Sequence, residues 1–408
     1  MKQNTKQIQN EKVPEGWKIK KVGDLCNIRR GASPRPIQNF LSNKGMPWIK
    51  ISDATASHSR FIDHTEHYIK EEGISHSVSV FPGDLILSNS ATPGLPKFLT
   101  INACIHDGWL LLRDLTVDKN FLYYFLLNER EKICAFASGS VFRNLKTDIL
   151  RDHAITLPKS RSEQKLIAKI LSDLDTKIEL NNKMNKALET IGHVLFKKWF
   201  IDEGKKEWKE GKLDEVLETI ESGKRPKGGI DSNLKQGIPS IGAENINGLG
   251  YYDYSSTKFI EKEFFNSMKT GKIKSGDVLL YKDGAKIGRK SLFMNEFPFK
   301  ECCVNEHVFI LRSKEEFSQY FLYFWLDQKS ITEKIINLNG NAAQPGINQP
   351  GVLSLSILIP DKDSLNHFDS FVEFILSKIF DNCLQNRNLS KIRDILLPKL
   401  MSGEIRVK

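Results

Sequence analysis

The six cysteines of this 408-residue chain (Cys26, Cys104, Cys134, Cys302, Cys303 and Cys383) show no Cys-x-x-Cys spacing. A zinc ribbon and a disulfide-dense secreted scaffold are therefore not expected. No stretch approaches the roughly 18 uninterrupted apolar residues of a membrane span. The opening MKQNTKQIQNEK has no apolar segment of the kind a secretory signal needs, so a soluble, cytoplasmic protein is expected. Nucleotide motifs are missing too. Gly248-Leu249-Gly250 stands alone, and Gly284-Ala285-Lys286-Ile287-Gly288-Arg289-Lys290-Ser291 fails the glycine spacing of a phosphate-cradling loop. The Asn/Asp-Pro-Pro-aromatic element of adenine methylation is absent. His58, His64 and His67 gather near Asp63 and Glu66, but without helical spacing or a nearby cysteine they read as a solvated loop, not metal ligands. No Ser/His/Asp or Cys/His arrangement can be assigned. The chain is expected to be non-catalytic and to bind no metal or cofactor itself.

What is present is positive charge and repetition. Lys plus Arg number 60 against 50 Asp plus Glu, a net charge of +10, which favours a polyanionic partner. With 40% hydrophobic and 27% charged residues the composition is that of a globular protein, long enough for two or three domains. The chain is also written twice. Gly16-Trp17-Lys18 returns as Glu207-Trp208-Lys209, a shift of 191. Arg30-Gly31-Ala32-Ser33-Pro34-Arg35-Pro36 returns as Ser222-Gly223-Lys224-Arg225-Pro226-Lys227, and Gly45-Met46-Pro47-Trp48-Ile49 as Gly237-Ile238-Pro239-Ser240-Ile241. Pro82-Gly83-Asp84-Leu85-Ile86-Leu87 matches Ser275-Gly276-Asp277-Val278-Leu279-Leu280, Phe121 to Phe125 matches Phe321 to Trp325, and Leu157-Pro158 matches Ile359-Pro360, by which point the shift is 202. Six matches in one order, with slowly growing offset, indicate an old duplication.

Each half begins with some 145 residues of short β-like runs and turns, as in Val78 to Phe81, Pro82-Gly83-Asp84 and Leu85 to Leu87. The aromatic runs Phe121 to Leu127 and Tyr320 to Leu326 read as helices with an apolar core face. The rest of each half is a long helix. Leu171, Leu174, Ile178, Asn181, Asn185, Leu188 and Leu195 alternate steps of three and four. Val372, Ile375, Ile379, Asn382, Asn386, Leu389 and Leu396 repeat the pattern 201 residues later, with Gly192 and Arg393 at the one skipped position. This is a coiled-coil seam. An asparagine in a seam needs a hydrogen-bonding partner, so each is expected to face its equivalent on the other helix. The spacing alone also admits two unrelated amphipathic helices, each on its own domain; the two-fold repeat favours an antiparallel pair. Pro158 and Pro360 mark the helix starts, Ser162 with Glu163-Gln164 offers a cap, and Leu397-Pro398-Lys399 is the expected end of the second helix. The expected division is a first domain 1–158, a helix 159–204, a second domain 205–360 and a helix 361–408: an α/β (α+β) chain with pseudo-two-fold symmetry.

Reading duplex DNA requires cations for phosphates and amide or guanidinium groups for base edges. Three corresponding loops in each half carry them. The first holds Arg29, Arg30 and Arg35, answered by Lys224, Arg225 and Lys227. The second holds Asn89, Ser90 and Lys97, answered by Lys282, Lys286 and Arg289; the third holds Arg143 and Asn144, answered by Asn341, Gln344 and Asn348. Like scaffolds with unlike loops should read two different short sequences.

This layout resembles the DNA-specificity subunit of type I restriction–modification systems, from about Val13 to Lys408. Carrying the resemblance are the duplicated domain-plus-helix plan, the central Leu195-Phe196-Lys197-Lys198-Trp199-Phe200 and the terminal Leu396-Leu397-Pro398-Lys399-Leu400-Met401-Ser402-Gly403-Glu404-Ile405. The resemblance implies two target-recognition domains separated by an antiparallel coiled coil, each reading half of a bipartite site. It implies two modification subunits bound to the helices, methylating adenine from S-adenosylmethionine after flipping the base. It also implies restriction subunits that use ATP and Mg2+. Three other readings remain open at this point: a pseudo-symmetric coiled-coil adaptor with basic loops for an acidic protein, the recognition subunit of another bipartite-site restriction system, and a nuclease with an unrecognised site.

Overall fold

The computed structural model describes residues 13–57, 59–135, 144–231, 233–339 and 346–407. It divides into two compact units, residues 1–179 with 388–408 and residues 180–387.

In the first unit, β1 (Trp17–Lys21), β2 (Asn27–Arg30), β3 (Leu41–Ser42), β4 (Met46–Ile49), β5 (Phe61–Ile62) and β6 (Tyr68–Ile69) precede β7 (Val78–Val80) and β8 (Leu85–Ser88). β9 (Pro96–Leu99), β10 (Ala103–Ile105), β11 (Trp109–Arg113) and β12 (Ala154–Pro158) follow. Two five-stranded sheets result, in the orders β2-β11-β8-β9-β5 and β3-β6-β4-β10-β7, beside the antiparallel pair β1-β12. β7 and β8 are consecutive yet lie in different sheets. The turn between them is fixed by Gly83 at φ +92° and by Asp84, which accepts the Phe81 amide at 2.7 Å and Arg113 Nε at 3.0 Å. Strands β8, β9 and β10 are buried throughout, so both faces of each are covered.

The second unit repeats the plan with β13 (Lys209–Lys212), β14 (Leu217–Ser222), β15 (Ile238–Ile241), β16 (Lys258–Ile260), β17 (Val278–Tyr281), β18 (Lys290–Leu292), β19 (Cys303–Val304), β20 (Val308–Ser313) and β21 (Ser356–Ile359). Its sheets, β14-β20-β17-β18 and β16-β15-β19 with the pair β13-β21, are shorter versions of the first set. The turn before β17 is built alike: Gly276 has φ +86°, and Asp277 accepts the Lys274 amide and Arg312 Nε, both at 2.7 Å.

The two aromatic runs are helices, α1 (Lys119–Asn128) and, in the second unit, Gln319–Asp327. Asp118 caps the first by accepting the Asn120 and Phe121 amides, and Ser318 caps the second by accepting the Phe321 amide. Their aromatic side chains fill the two main cores, as expected.

The long helices are α2 (Arg161–Phe196), continued by a π-helical turn Lys197–Asp202, and, after α3 (Gln319–Asp327), α4 (Lys362–Met401). Ser160, not Ser162, caps α2: its hydroxyl accepts the Glu163 amide at 3.4 Å, while the buried Gln164 side chain donates to the Pro158 carbonyl at 2.9 Å. α4 does not stop at Pro398 but runs to Met401. Leu397, Leu400 and Met401 are buried in the first unit's core, and a proline this near a helix end sacrifices only one late hydrogen bond. The chain then turns at Gly403, φ +74°.

Each unit grips both helices. In the first, Ile167, Ala168 and Leu171 from α2 share a core with the end of α4. Asp175 accepts from the Tyr124 hydroxyl at 2.6 Å and from Arg393 at 2.7 Å, and Arg60 pairs with Glu179 at 2.9 Å. In the second, Phe196 packs 5.2, 5.9 and 5.8 Å from Phe321, Phe324 and Phe368, joining the end of α2 to the start of α4. Gly192, the skipped seam position, is where Phe324 lies: a Cβ there would come within 2.7 Å of its ring.

All fourteen expected seam residues are buried or half-buried. The pairing is antiparallel, as expected, but each asparagine meets the other member of the opposing pair, not its own equivalent. Asn181 Nδ2 donates to Asn386 Oδ1 and Asn382 Nδ2 to Asn185 Oδ1, each at 2.8 Å. With the chains running opposite ways the four positions must cross-match. Since Asn382 is only 2% exposed, Asn185→Leu should strand its amide and cost about 1–3 kcal/mol in chemical denaturation, and Asn185→Leu/Asn382→Leu should recover most of that. A double variant no better than the single would show that the amide pair is not what holds this register.

Candidate nucleic-acid interface

The described parts of the three loops of each copy meet at one place, the turn between β10 and β11 in the first unit and between β19 and β20 in the second. Loop one reaches it because a glycine lets it. A Cβ on Gly31 would lie 2.1 Å from the His106 carbonyl oxygen, and one on Gly223 within 1.6 Å of that of Val304. Loop two is tied there by its main chain. The Asn89 amide donates to the Gly108 carbonyl at 2.8 Å, and the equivalent Lys282 amide to that of His307 at 3.1 Å. Loop three is tied to loop two: the Leu145 amide donates to the Asn89 carbonyl at 2.7 Å, and the Ile347 amide to the Lys282 carbonyl at 2.9 Å. Loop two closes on itself alike in both copies, Gly94 on Ser88 at 2.8 Å and Gly288 on Tyr281 at 3.0 Å.

On this frame Arg29, Arg30, Arg35, Lys224, Arg225, Lys227, Lys286, Asn144 and Asn348 are exposed, as a surface reader requires; Ser90, Lys282 and Arg289 are half-buried. Lys282 Nζ sits 4.7 Å from the Phe309 ring centre, and Asn348 caps residues 349–353 by accepting the Gly351 amide at 2.8 Å. Arg143, Asn341 and Gln344, like His58, lie outside the described residues. Among those described, no cluster of His, Cys, Asp or Glu suited to a metal is present.

Two of the expected contacts are corrected. Lys97 is 5% exposed and belongs to β9; its amine donates to the Ser57 carbonyl at 2.8 Å and to that of Ser59, and burial lowers its pKa to about 8. Its equivalent Lys290 is buried likewise, donating to Thr332 at 2.6 Å. Lys97 thus ties its strand to the loop at residues 57–59, and Lys290 ties its strand to the helix Lys329–Asn337. Asn89 is also buried, its side chain donating to the Asp107 carbonyl at 3.0 Å, so it holds the turn rather than facing outward.

Two acidic residues, absent from the cationic pattern of the sequence, stand at the same turn. Asp107 accepts from Ser33 Oγ at 2.6 Å, its carbonyl accepts from Arg30 Nε at 2.9 Å, and its carboxylate lies 3.7 Å from Arg35 and 3.9 Å from Arg30. Burial alone would raise its pKa, but the Ser33 hydroxyl, the main chain and the charges of His106 and Arg35 hold it below the usual carboxylate range. In the second unit Glu306 pairs with Arg225 and lies 3.3 Å from His307 Nε2, whose Nδ1 is 2.9 Å from Asp283. An acid following the same strand in both copies was the signal available in the sequence.

The glycine contacts are testable by themselves. Gly31→Ala and Gly223→Ala each push a methyl into a carbonyl oxygen and should destabilise the affected unit by about 1–3 kcal/mol, read as a lowered melting temperature with easier proteolysis of loops two and three. Unchanged stability would mean that loop and turn part freely.

Comparison with known proteins agrees with this duplicated architecture. The type I restriction modification DNA specificity domain matches the chain twice, over residues 14–190 and 205–375. The specificity subunit of the type I restriction enzyme MjaIX of Methanocaldococcus jannaschii is 27% identical over 97% of this chain and 95% of its own length. That of HindI from Haemophilus influenzae is 23% identical over 95% and 99%. The crystal structure of a type I restriction–modification S subunit from M. genitalium shares the fold, with a TM-score of 0.57 at 18% identity over 95% of this chain and 97% of that one. No described helix is long and apolar enough to cross a membrane. Since each matched segment contains one set of converging loops, the chain belongs to the type I restriction–modification DNA specificity family, and its role is to recognise a DNA sequence in concert with the other subunits of such a system.

Proposed function

We propose that the chain reads a discontinuous, asymmetric duplex target, half with each globular domain, and that the paired helices set the unread gap. One observation carries this reading: two loop clusters stitched by the same main-chain bonds but furnished with different side chains. Arg30, Arg35 and Asn144 on one cluster, and Lys224, Arg225, Lys286 and Asn348 on the other, offer the donors that base edges and phosphates accept. Two readers on a stiff spacer gain affinity together only where both half-sites fall at the right separation.

Chemistry belongs to the partners in this reading. Two modification subunits bind the helices and methylate a flipped adenine with S-adenosylmethionine, and restriction subunits consume ATP with Mg2+, all in the cytoplasm. The chain itself holds no cofactor. The number two is supported by the helix surfaces. Ile191 and Val194 on α2 are 48% and 58% exposed, and their equivalents Ile392 and Ile395 on α4 are 47% and 61% exposed. Apolar spots that recur at equivalent repeat positions suit two copies of one partner.

The adenine-methylation pattern of DNA from cells expressing the chain with its modification subunit tests this directly: two short motifs at a fixed gap are expected. Adding one heptad to each helix preserves the seam, lengthens the rod by about 10 Å and should widen the gap by roughly three base pairs at ~3.4 Å each, leaving both half-sites unchanged. An unmoved gap would overturn the spacer role. Arg225→Gln should weaken recognition of the second half-site alone, by about 1–3 kcal/mol where the guanidinium forks onto a base. Equal loss at both halves would overturn the assignment of domains to half-sites.

A further inference from the structure

We propose that Asp107 and Glu306 are positioning residues that set specificity: each carboxylate holds the arginines of its domain's first loop, so that arbitrary phosphate gains little from them and a duplex with the matching base edges gains more. This rests on the reading of that loop as a DNA contact.

The two acids are equivalent. Each follows the strand that ends at the shared turn, β10 or β19, one residue beyond a divergent neighbour, His106 or Asn305. Each stands where the first loop's glycine, Gly31 or Gly223, brings the basic backbone into contact with the turn. Each faces arginines of that basic segment: Arg30, the last residue of β2, and Arg35 beyond it at 3.9 and 3.7 Å from Asp107, and Arg225 against Glu306. The residues after them differ, Gly108 against His307, so the acid persists in a turn that has otherwise changed. A carboxylate at the tip of a basic reading face repels phosphate. In a chain of net charge +10 that must bind duplex, mere affinity would disfavour it there.

The geometry says what it does instead. Arg30 is anchored by its Nε on the Asp107 carbonyl, Arg35 stands at ion-pair distance from the carboxylate and Arg225 pairs with Glu306. The side chains remain 59%, 73% and 48% exposed, so each guanidinium keeps N–H groups open to a ligand. A phosphate alone would exchange one charge-assisted bond for another, with little net gain. A guanine edge can use the open N–H groups while the carboxylate keeps its hold. Charge neutralisation that would strengthen every site equally is thereby converted into discrimination between sites.

The test uses the full chain bound to its modification subunits and two duplexes, one carrying the target mapped by methylation and one of scrambled sequence. Asp107→Asn and Glu306→Gln keep shape and remove charge. Each should raise affinity for the scrambled duplex roughly 3- to 10-fold and steepen the salt slope by about 1, because one more cation is free to meet phosphate. The preference for target should fall, and misdirected methylation should appear at sites mismatched only in the half read by the altered domain. Asp107→Glu and Glu306→Asp should restore wild-type behaviour. Weaker target binding with unchanged scrambled affinity and salt slope would overturn the proposal, showing that the acid merely props the loop. Wild-type binding that ignores salt would overturn the loop assignment beneath it, a separate and recognisable failure.

Discussion

A buried amide must be answered by another polar group, and in this protein that requirement fixes the register of the two long helices. Leucine and isoleucine seams tolerate a slide of one heptad, because every apolar knob finds a similar hole. Asparagines do not. Asn181 and Asn382 are almost fully enclosed, and only the observed register puts Asn386 and Asn185 opposite them at 2.8 Å. The rest follows residue by residue. In the first unit the same register sets Arg393 against Asp175, which also holds Tyr124; in the second it leaves Gly192 as the space for Phe324. Each globular domain is thereby clamped by two helix segments, and its loops inherit their orientation from that clamp.

The loops solve a different problem, which is to be rigid without being uniform. A loop held by side-chain contacts could not change those side chains without coming loose. Here the holding is done by main chain. The amide and carbonyl of residue 89 or 282 make the same two links in both copies although one residue is asparagine and the other lysine. The glycines at 31 and 223 add no side chain to the junction at all.

Much of this was legible in the residues. The repeat, the helical seam, the Gly-Asp turns and the chain positions of the loops all depend on local patterns of charge, size and spacing. What escaped depends on contacts distant in sequence. Lys97 looks like a loop cation, but the carbonyls that enclose it belong to Ser57 and Ser59, some forty residues earlier. The separation of β7 and β8 into different sheets is invisible in a strand-turn-strand pattern, because nothing in four turn residues states which neighbour each strand will find. α4 outruns Pro398 because burial of Leu397, Leu400 and Met401 outweighs a local helix-breaking preference. The crossed asparagine pairs follow from direction, which a seven-residue period does not encode.

The repeat offered a finer discrimination than it first supplied. Within loop two, the position held by Lys97 in one copy is held by Lys290 in the other, while Asn89 is replaced by Lys282. A residue retained between two diverged copies is one the scaffold needs, and a residue that differs is one the scaffold leaves free. Lys97 and Lys290 are both buried, whereas Lys282 is half-exposed, in keeping with that division. Asn89 is the instructive exception: it differs from its equivalent yet is buried, because its backbone, not its side chain, is what both copies require. Comparing the halves of a duplicated protein therefore separates frame from reader only where the side chain bears the structural load; where the main chain bears it, the position is free to vary even in the frame.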